Sequence, residues 1–387
     1  MEQAEKKTSS ISVRNLVEFI LRSGDLDNRR LSGAQKDAML AGGRIHRKIQ
    51  KRMGVGYQAE VFLRHQETEP EEGLTLLVEG RADGIFEEDG QWYIDEIKGM
   101  YADVARFSEP FPLHLAQAMC YGYFYCCDHE LEQIGIQLTY CSLETEEIKR
   151  FRSQHTRAEL CQWFQGVIGE YFKWARYQYR HRESRDQSIR GLEFPFPYRA
   201  GQRDLVVSVY RAISRKKRLF IQAPTGIGKT LSAIFPAVKA VGEEKGDKIF
   251  YLTAKTVTRT VAEEAFRILR SLGLTFTSVT ITAKEKLCFL EKPECNPDAC
   301  PYAKGHFDRV NGAVFEILRN EQEISREKIL EYAKRHRVCP FEFCLDISNW
   351  TDGIICDYNY VFDPNVRLKR YFAEGNKGEY LFLVDEA

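Results

Sequence analysis

Asp83, Glu96 and Lys98 are the first residues along the chain whose types and spacing could do chemistry. They lie in residues 74–98, a stretch that reads as a β-hairpin, because Asp-Gly at Glu88-Asp89-Gly90 separates two apolar runs. Side chains alternate along a strand, so Trp92, Ile94, Glu96 and Lys98 share one side and Tyr93, Asp95 and Ile97 the other. That alternation selects Glu96 rather than Asp95 as the partner of Lys98. Carboxylates from two strands, Asp83 and Glu96, suit a hard divalent cation, Mg²⁺ or Mn²⁺, which polarises a phosphodiester and lowers the pKa of its bound water. Lys98 beside them would orient that water and offset charge building on the phosphorus oxygens. The same three residues alone would also fit a salt bridge on an exposed strand.

A second set is Ala223-Pro224-Thr225-Gly226-Ile227-Gly228-Lys229-Thr230, between an expected strand at Arg218–Gln222 and an expected helix at Leu231–Val241. Backbone N–H groups of such a loop wrap phosphates, Gly226 and Gly228 permit close approach, Lys229 reaches the β and γ phosphates, and Thr230 ligates Mg²⁺. ATP with Mg²⁺ is the expected ligand. At the far end, the apolar strand Leu381-Phe382-Leu383-Val384 runs into Asp385 and Glu386. There Asp385 would hold Mg²⁺ through water and Glu386 would act as general base on the hydrolytic water.

Four cysteines lie between these motifs: Cys288, Cys295, Cys300 and Cys339, with gaps of six, four and thirty-eight residues. Four thiolates complete a 4Fe-4S cluster and equally suit tetrahedral zinc, although paired Cys-x-x-Cys knuckles are missing. Spacing leaves both open. Cys120, Cys126, Cys127, Cys141 and Cys161, and likewise Cys344 and Cys356, read as packing residues.

These motifs resemble known families. Asp83 followed by Glu96-Ile97-Lys98 looks like the motif of the PD-(D/E)XK nucleases. His46, in Gly43-Arg44-Ile45-His46, sits where the RecB-like branch places a metal-ligand histidine on a helix, and Gln117-Ala118-Met119-Cys120-Tyr121 matches its Gln-x-x-x-Tyr motif. The resemblance implies that Gln117 and Tyr121 position DNA. From Tyr198 on, the chain resembles the first lobe of an XPD/DinG-type iron-sulfur DNA helicase of superfamily 2. Gln202 would then read adenine, Tyr251–Thr256 would touch the DNA backbone, and Asp385-Glu386-Ala387 would begin a D-E-A-H box. In that family a four-cysteine insertion at this place holds a 4Fe-4S cluster, which favours iron over zinc. The helicase resemblance also implies 5′ to 3′ movement on single-stranded DNA.

The expected fold class is α/β. A nuclease domain with a mixed sheet flanked by helices (1–185) precedes a linker (186–197) and a RecA-like parallel-sheet lobe (198–387), with the cysteine insertion at about 280–345. A helix from about Thr156 to Arg182 closes the first domain; Gly191, Pro195 and Pro197 break the segment after it. Ile354–Pro364 is expected as a strand. A second motor lobe lies outside these 387 residues, so ATP binding should be weak and unwinding absent, whereas cleavage of single-stranded DNA should survive.

Composition excludes fewer functions than the motifs suggest. With 43% hydrophobic and 29% charged residues the chain is of ordinary globular type. Fifty-six basic and fifty-six acidic residues cancel, so any nucleic-acid binding rests on local clusters such as Arg44–Arg52 and Arg215–Arg218. No apolar run spans a membrane, and a cytoplasmic setting is expected, where eleven cysteines serve as ligands or packing residues rather than disulfides. Two rival functions accompany the nuclease-helicase reading: a degenerate nuclease fold that only binds DNA, and an iron-sulfur redox sensor of DNA affinity.

Overall fold

The computed structural model describes residues 7–30, 35–224, 226–373 and 378–386. It divides into two units, residues 1–23 with 28–177 and residues 24–27 with 178–387.

In the first unit, β1 (Thr8–Ser12) leads into α1 (Val13–Ile20), whose first turn is capped by the Ser12 hydroxyl accepting from Asn15 N–H at 3.1 Å. Then follow α2 (Gln35–Arg52), β2 (Gln58–Thr68), β3 (Thr75–Glu88), β4 (Gln91–Met100), α3 (Pro112–Asp128), β5 (Gln133–Ser142) and β6 (Ile148–Thr156). Among the described residues the strands form one mixed six-stranded sheet in the order β1-β3-β4-β5-β6, with β2 paired to β3. β1 is parallel to β3 and β5 to β4; the other pairs are antiparallel. β5 is buried along almost its whole length, as befits a central strand covered on both faces. Leu76, Val78 and Ile94 of the sheet, Leu16 of α1 and Phe124 of α3 share one core with Leu160 and Phe164 of the helix that follows β6.

That helix, α4, runs from Arg157 to Arg190. It passes the expected end near Arg182 because its last turns find partners: His181 and Arg185 both pair with buried Asp352, at 2.7 and 3.0 Å. The irregular stretch begins only after Gly191.

The second unit contains α5 (Gln202–Ser214), α6 (Lys229–Gly242), β7 (Lys248–Leu252), α7 (Thr256–Ser271), β8 (Ser278–Thr280), α8 (Lys284–Leu287), α9 (His306–Asn320) and β9 (Glu323–Ile324). It closes with α10 (Arg326–His336), α11 (Pro340–Ser348), β10 (Gly353–Cys356), α12 (Asn359–Phe362), α13 (Lys369–Phe372) and β11 (Tyr380–Val384). Its sheet is wholly parallel, in the order β11-β7-β10-β8-β9. Parallel strands need crossover helices, which is the alternation expected from the sequence.

Two expected strands are corrected. Residues 218–222 join no sheet, and Leu219, Phe220 and Ile221 are exposed; β-propensity makes a strand only where a neighbour pairs with it, and β11 at the sheet margin is paired by β7 alone among the described residues. The expected strand at Ile354–Pro364 stops at Cys356, because the Asp357 carboxylate accepts from Asn359 N–H at 3.0 Å and starts the turn of α12. No described helix is long and apolar enough to cross a membrane.

Candidate active site and nucleotide loop

The hairpin of β3 and β4 turns at Asp89 (φ 53°) and Gly90 (φ 78°), both left-handed, which sets the register Glu88↔Gln91 through Gly84↔Asp95. Past that point the two strands part, and β4 continues along β5. Asp83 stands at the fork. Its Oδ2 accepts from the Ile97 N–H at 2.7 Å, and the Gln50 side chain of α2 donates to its main-chain oxygen at 2.9 Å. His46, one helical turn before Gln50, places Nδ1 3.4 Å from Asp83 Oδ1. On β4, Lys98 Nζ donates to Glu96 Oε1 at 2.6 Å, while Glu96 Oε2 is buried with no hydrogen-bond partner among the described residues.

Burial pushes the Glu96 carboxyl up to about 7, and the Asp83 charge adds to the rise; Lys98 and His46 oppose it. Burial alone would lower His46, but its hydrogen bond and charge contact with Asp83 overcome that and raise it. The orphaned Oε2 is the kind of buried acceptor that a cation satisfies. Among the described residues no three His, Cys, Asp or Glu side chains form a ready metal cage.

Asp95 points to the opposite face. It accepts from Tyr57 Oη at 2.9 Å and Thr139 Oγ1 at 2.6 Å, and burial raises its pKa despite these hydrogen bonds. Gln117 and Tyr121 are both buried on α3. Burial raises the Tyr121 hydroxyl, which accepts from the Arg81 N–H. A Cβ at Gly80 would fall 2.5 Å from this hydroxyl, and one at Gly84 1.8 Å from that of Tyr57. Tyr57 and Gln50 have no motif that names them, but the glycines flanking Asp83 signal close approach within a strand.

In the second unit, Gly226 (φ 87°) and Gly228 (φ 81°) bend the loop into the start of α6. Lys229 Nζ donates to the Ala223 oxygen at 3.1 Å, and the Arg199 guanidinium donates to the Gly226 oxygen. Gln202 is buried, accepts from Arg199 N–H at 3.0 Å, and lays its amide against Gly228, where a Cβ would meet Nε2 at 2.8 Å. Pro224 is exposed; Thr225 and Ala387 lie outside the described residues. Parallel pairing of β11 with β7 carries Asp385 to the loop, its N–H donating to Leu252 oxygen at 3.0 Å. Tyr251 Oη lies 3.5 Å from Thr230 Oγ1 and also contacts the Asp385 side chain, so Thr230 and Asp385 flank one tyrosine. Glu386 (φ 54°) pairs with Lys255 at 2.5 Å.

Cys288, Cys295, Cys300 and Cys339 line a single small pocket, with Leu26, Lys284, Phe289, Tyr302 and Phe341 among its walls. Sequence spacing alone did not require these thiols to converge; the fold brings them together. Burial pushes the Cys339 thiol up to about 11, and Lys284 hydrogen-bonds Cys295. Four thiols are the donor set of an iron-sulfur group, although among the described residues no three of them stand as a ready metal cage. Cys344 and Cys356 are buried elsewhere, as expected of packing residues; of the first unit's five cysteines, Cys120, Cys126 and Cys141 are buried and Cys127 and Cys161 half-buried.

Residues 202–293 match the family model described as DEAD/DEAH box helicase, and residues 275–387 the one described as DEAD_2. Over 47 residues the chain is 40% identical to the probable ATP-dependent helicase MJ0942 of Methanocaldococcus jannaschii, covering 12% of this chain and 7% of that relative's length. Among solved structures it is similar to SSO0001, with TM-score 0.27 and 19% identity over 41% of this chain and 75% of that one. It is also similar to a truncated XPD, with TM-score 0.34 and 18% identity over 47% of this chain and 51% of that one.

Proposed function

We propose that this chain, a member of the helicase family, joins a metal-dependent DNA nuclease in its first unit to an ATP-driven, iron-sulfur DNA motor in its second. The observation that supports the nuclease most is the fork between β3 and β4, where the charges of Asp83, Lys98 and His46 act on Glu96, whose buried Oε2 has no hydrogen-bond partner among the described residues.

Asp83, Glu96 and His46 would hold a divalent cation, which when bound polarises a phosphodiester and supplies a water of lowered pKa. Lys98, held by Glu96, places an ammonium where phosphorus oxygens gain charge. The Ile97 N–H and Gln50 fix Asp83 so that its Oδ1 stays turned toward His46. Buried Tyr121 braces the β3 backbone at Arg81, so we assign it, with Gln117, to positioning the strand on which the acid stands and through it the DNA.

In the second unit, the N–H groups at the start of α6 and the left-handed glycines would cradle ATP phosphates, with Lys229 turning from the Ala223 oxygen onto them. Thr230 and Asp385 would hold the nucleotide's Mg²⁺. Gln202, resting on Gly228, reads the base, and Glu386, once released from Lys255, orients water. Cys288, Cys295, Cys300 and Cys339 would hold a 4Fe-4S cluster that stiffens the region around them. Single-stranded ends as substrate and 5′ to 3′ movement complete the reading.

The deciding experiment is cleavage of single-stranded DNA with Mn²⁺ or Mg²⁺ by the wild type, Lys98→Ala and Asp83→Ala. Cleavage by the wild type only supports the nuclease; equal rates in all three remove it. A first unit that binds DNA without cutting is the second reading, favoured by the lack of a ready three-ligand cage among the described residues. Metal-independent binding with no cleavage would select it.

A further inference from the structure

Gly24–Asp27 belongs to the second unit although residues on both sides of it belong to the first. Gly24, Asp25 and Leu26 are each tied down by hydrogen bonds within the second unit. Gly24 N–H donates to Asp308 Oδ1 at 2.7 Å and Gly24 oxygen accepts from Phe307 N–H at 3.0 Å. Asp25 Oδ1 accepts from Gly305 N–H at 2.6 Å, and Leu26 N–H donates to Ala303 oxygen at 2.9 Å. These partners, residues 303–308, span the end of the turn after Cys300 and the first residues of α9. Gly305 (φ 61°) leaves its N–H outside the helix, and Asp25 satisfies it much as a capping carboxylate would.

The bonds deliver one side chain. Leu26 is 8% exposed and packs with Cys300, Ala303 and Cys339 in one apolar cluster, where it forms part of the pocket wall around all four cysteines. Ordering four residues costs backbone entropy that the hydrogen bonds roughly offset, so burial of Leu26 is what the excursion gains.

We propose that Gly24–Asp27 is a cap on the cysteine pocket: Leu26 closes its apolar wall against water, oxidants and chelators, and Asp25 and Asp308 are the anchors that hold the cap down. As a statement about the thiols it stands on the geometry alone; as a statement about a cluster it rests on the iron-sulfur reading above. Solvent exposure is among the factors that set the properties of such clusters, so the cap would prolong the life of the group it covers.

The test uses the full chain without metal, alkylated with N-ethylmaleimide and read peptide by peptide by mass spectrometry, in the wild type, Leu26→Ala, Leu26→Met and Asp25→Ala. Leu26→Ala should raise the alkylation rate of Cys288, Cys295, Cys300 and Cys339 roughly tenfold, Asp25→Ala less, and Leu26→Met little, with Cys344 and Cys356 unchanged. Unchanged rates at the pocket cysteines, or an equal rise at Cys344 and Cys356, would overturn the cap. A second arm reconstitutes each protein with iron and sulfide and follows loss of visible absorbance in air. Faster bleaching in Leu26→Ala supports protection of the cluster, and equal bleaching refutes it. A wild type that takes up no iron refutes the cluster reading, while the alkylation rates still decide the cap.

Discussion

The fork of β3 and β4 and the loop at 223–230 both present groups suited to phosphate chemistry, but they are held in different ways. At the fork each acid is fixed by its surroundings: Asp83 by the Ile97 N–H of β4 and, through its backbone, by Gln50 of α2, and Glu96 by Lys98 on its own strand. The loop is anchored mainly at its helical end, since residues 218–222 join no sheet and Lys229 and Arg199 bond to loop carbonyls. A ladder fixes its side chains before any ligand arrives, whereas a glycine-rich loop at a helix N-terminus is completed by the phosphate it binds.

Exchanging the two lysines tests this separation with the largest expected effects. Lys98→Ala should lower DNA cleavage by about 10²- to 10³-fold and leave nucleotide binding alone, and Lys229→Ala should weaken nucleotide binding and leave cleavage alone. Loss of cleavage in Lys229→Ala without nucleotide would show that the sites are not independent. Next in size is Gly84→Ala, whose Cβ would fall 1.8 Å from the Tyr57 hydroxyl and force it off buried Asp95. Chemical denaturation should show a loss of about 1–3 kcal/mol. Gly166→Ala, in open space on α4, should be neutral or stabilising by contrast.

Two carboxyls sharpen the comparison through pH. Burial alone would raise Asp352, yet His181 and Arg185 hold it down to about 2, below its ordinary 3.8. The folded state thus binds fewer protons, so this contribution is present above pH 3.8 and is lost as pH falls toward 2. Asp352→Asn should remove on the order of 2 kcal/mol from the second unit at neutral pH and flatten its acid unfolding profile. Glu96 has the opposite sign. Its pKa rises from 4.5 to about 7, so its contribution is present below 4.5 and declines as pH rises through 7. Glu96→Gln should therefore stabilise the cation-free first unit by on the order of 1 kcal/mol above neutrality, in thermal unfolding, while abolishing cleavage.

Local signals were legible in the sequence. Asp89-Gly90 and strand alternation gave the hairpin and the pairing of Lys98 with Glu96, and Gly226, Gly228 and Lys229 gave the loop and helix start. What depends on distant partners was not legible. The run Leu219–Ile221 has a strand's composition without a neighbour to pair with, and α4 outlasts its apolar periodicity because Asp352, more than 160 residues on, receives its last turns. The insertion of Tyr57 and Tyr121 against Gly84 and Gly80, and the visit of Leu26 to the cysteine pocket, are likewise set by tertiary packing.

The most direct measurement is anomalous diffraction from crystals of the chain soaked in Mn²⁺. The account predicts a manganese peak between the carboxylates of Asp83 and Glu96 that vanishes in Asp83→Ala. Saturating Mn²⁺ with no peak there would contradict it.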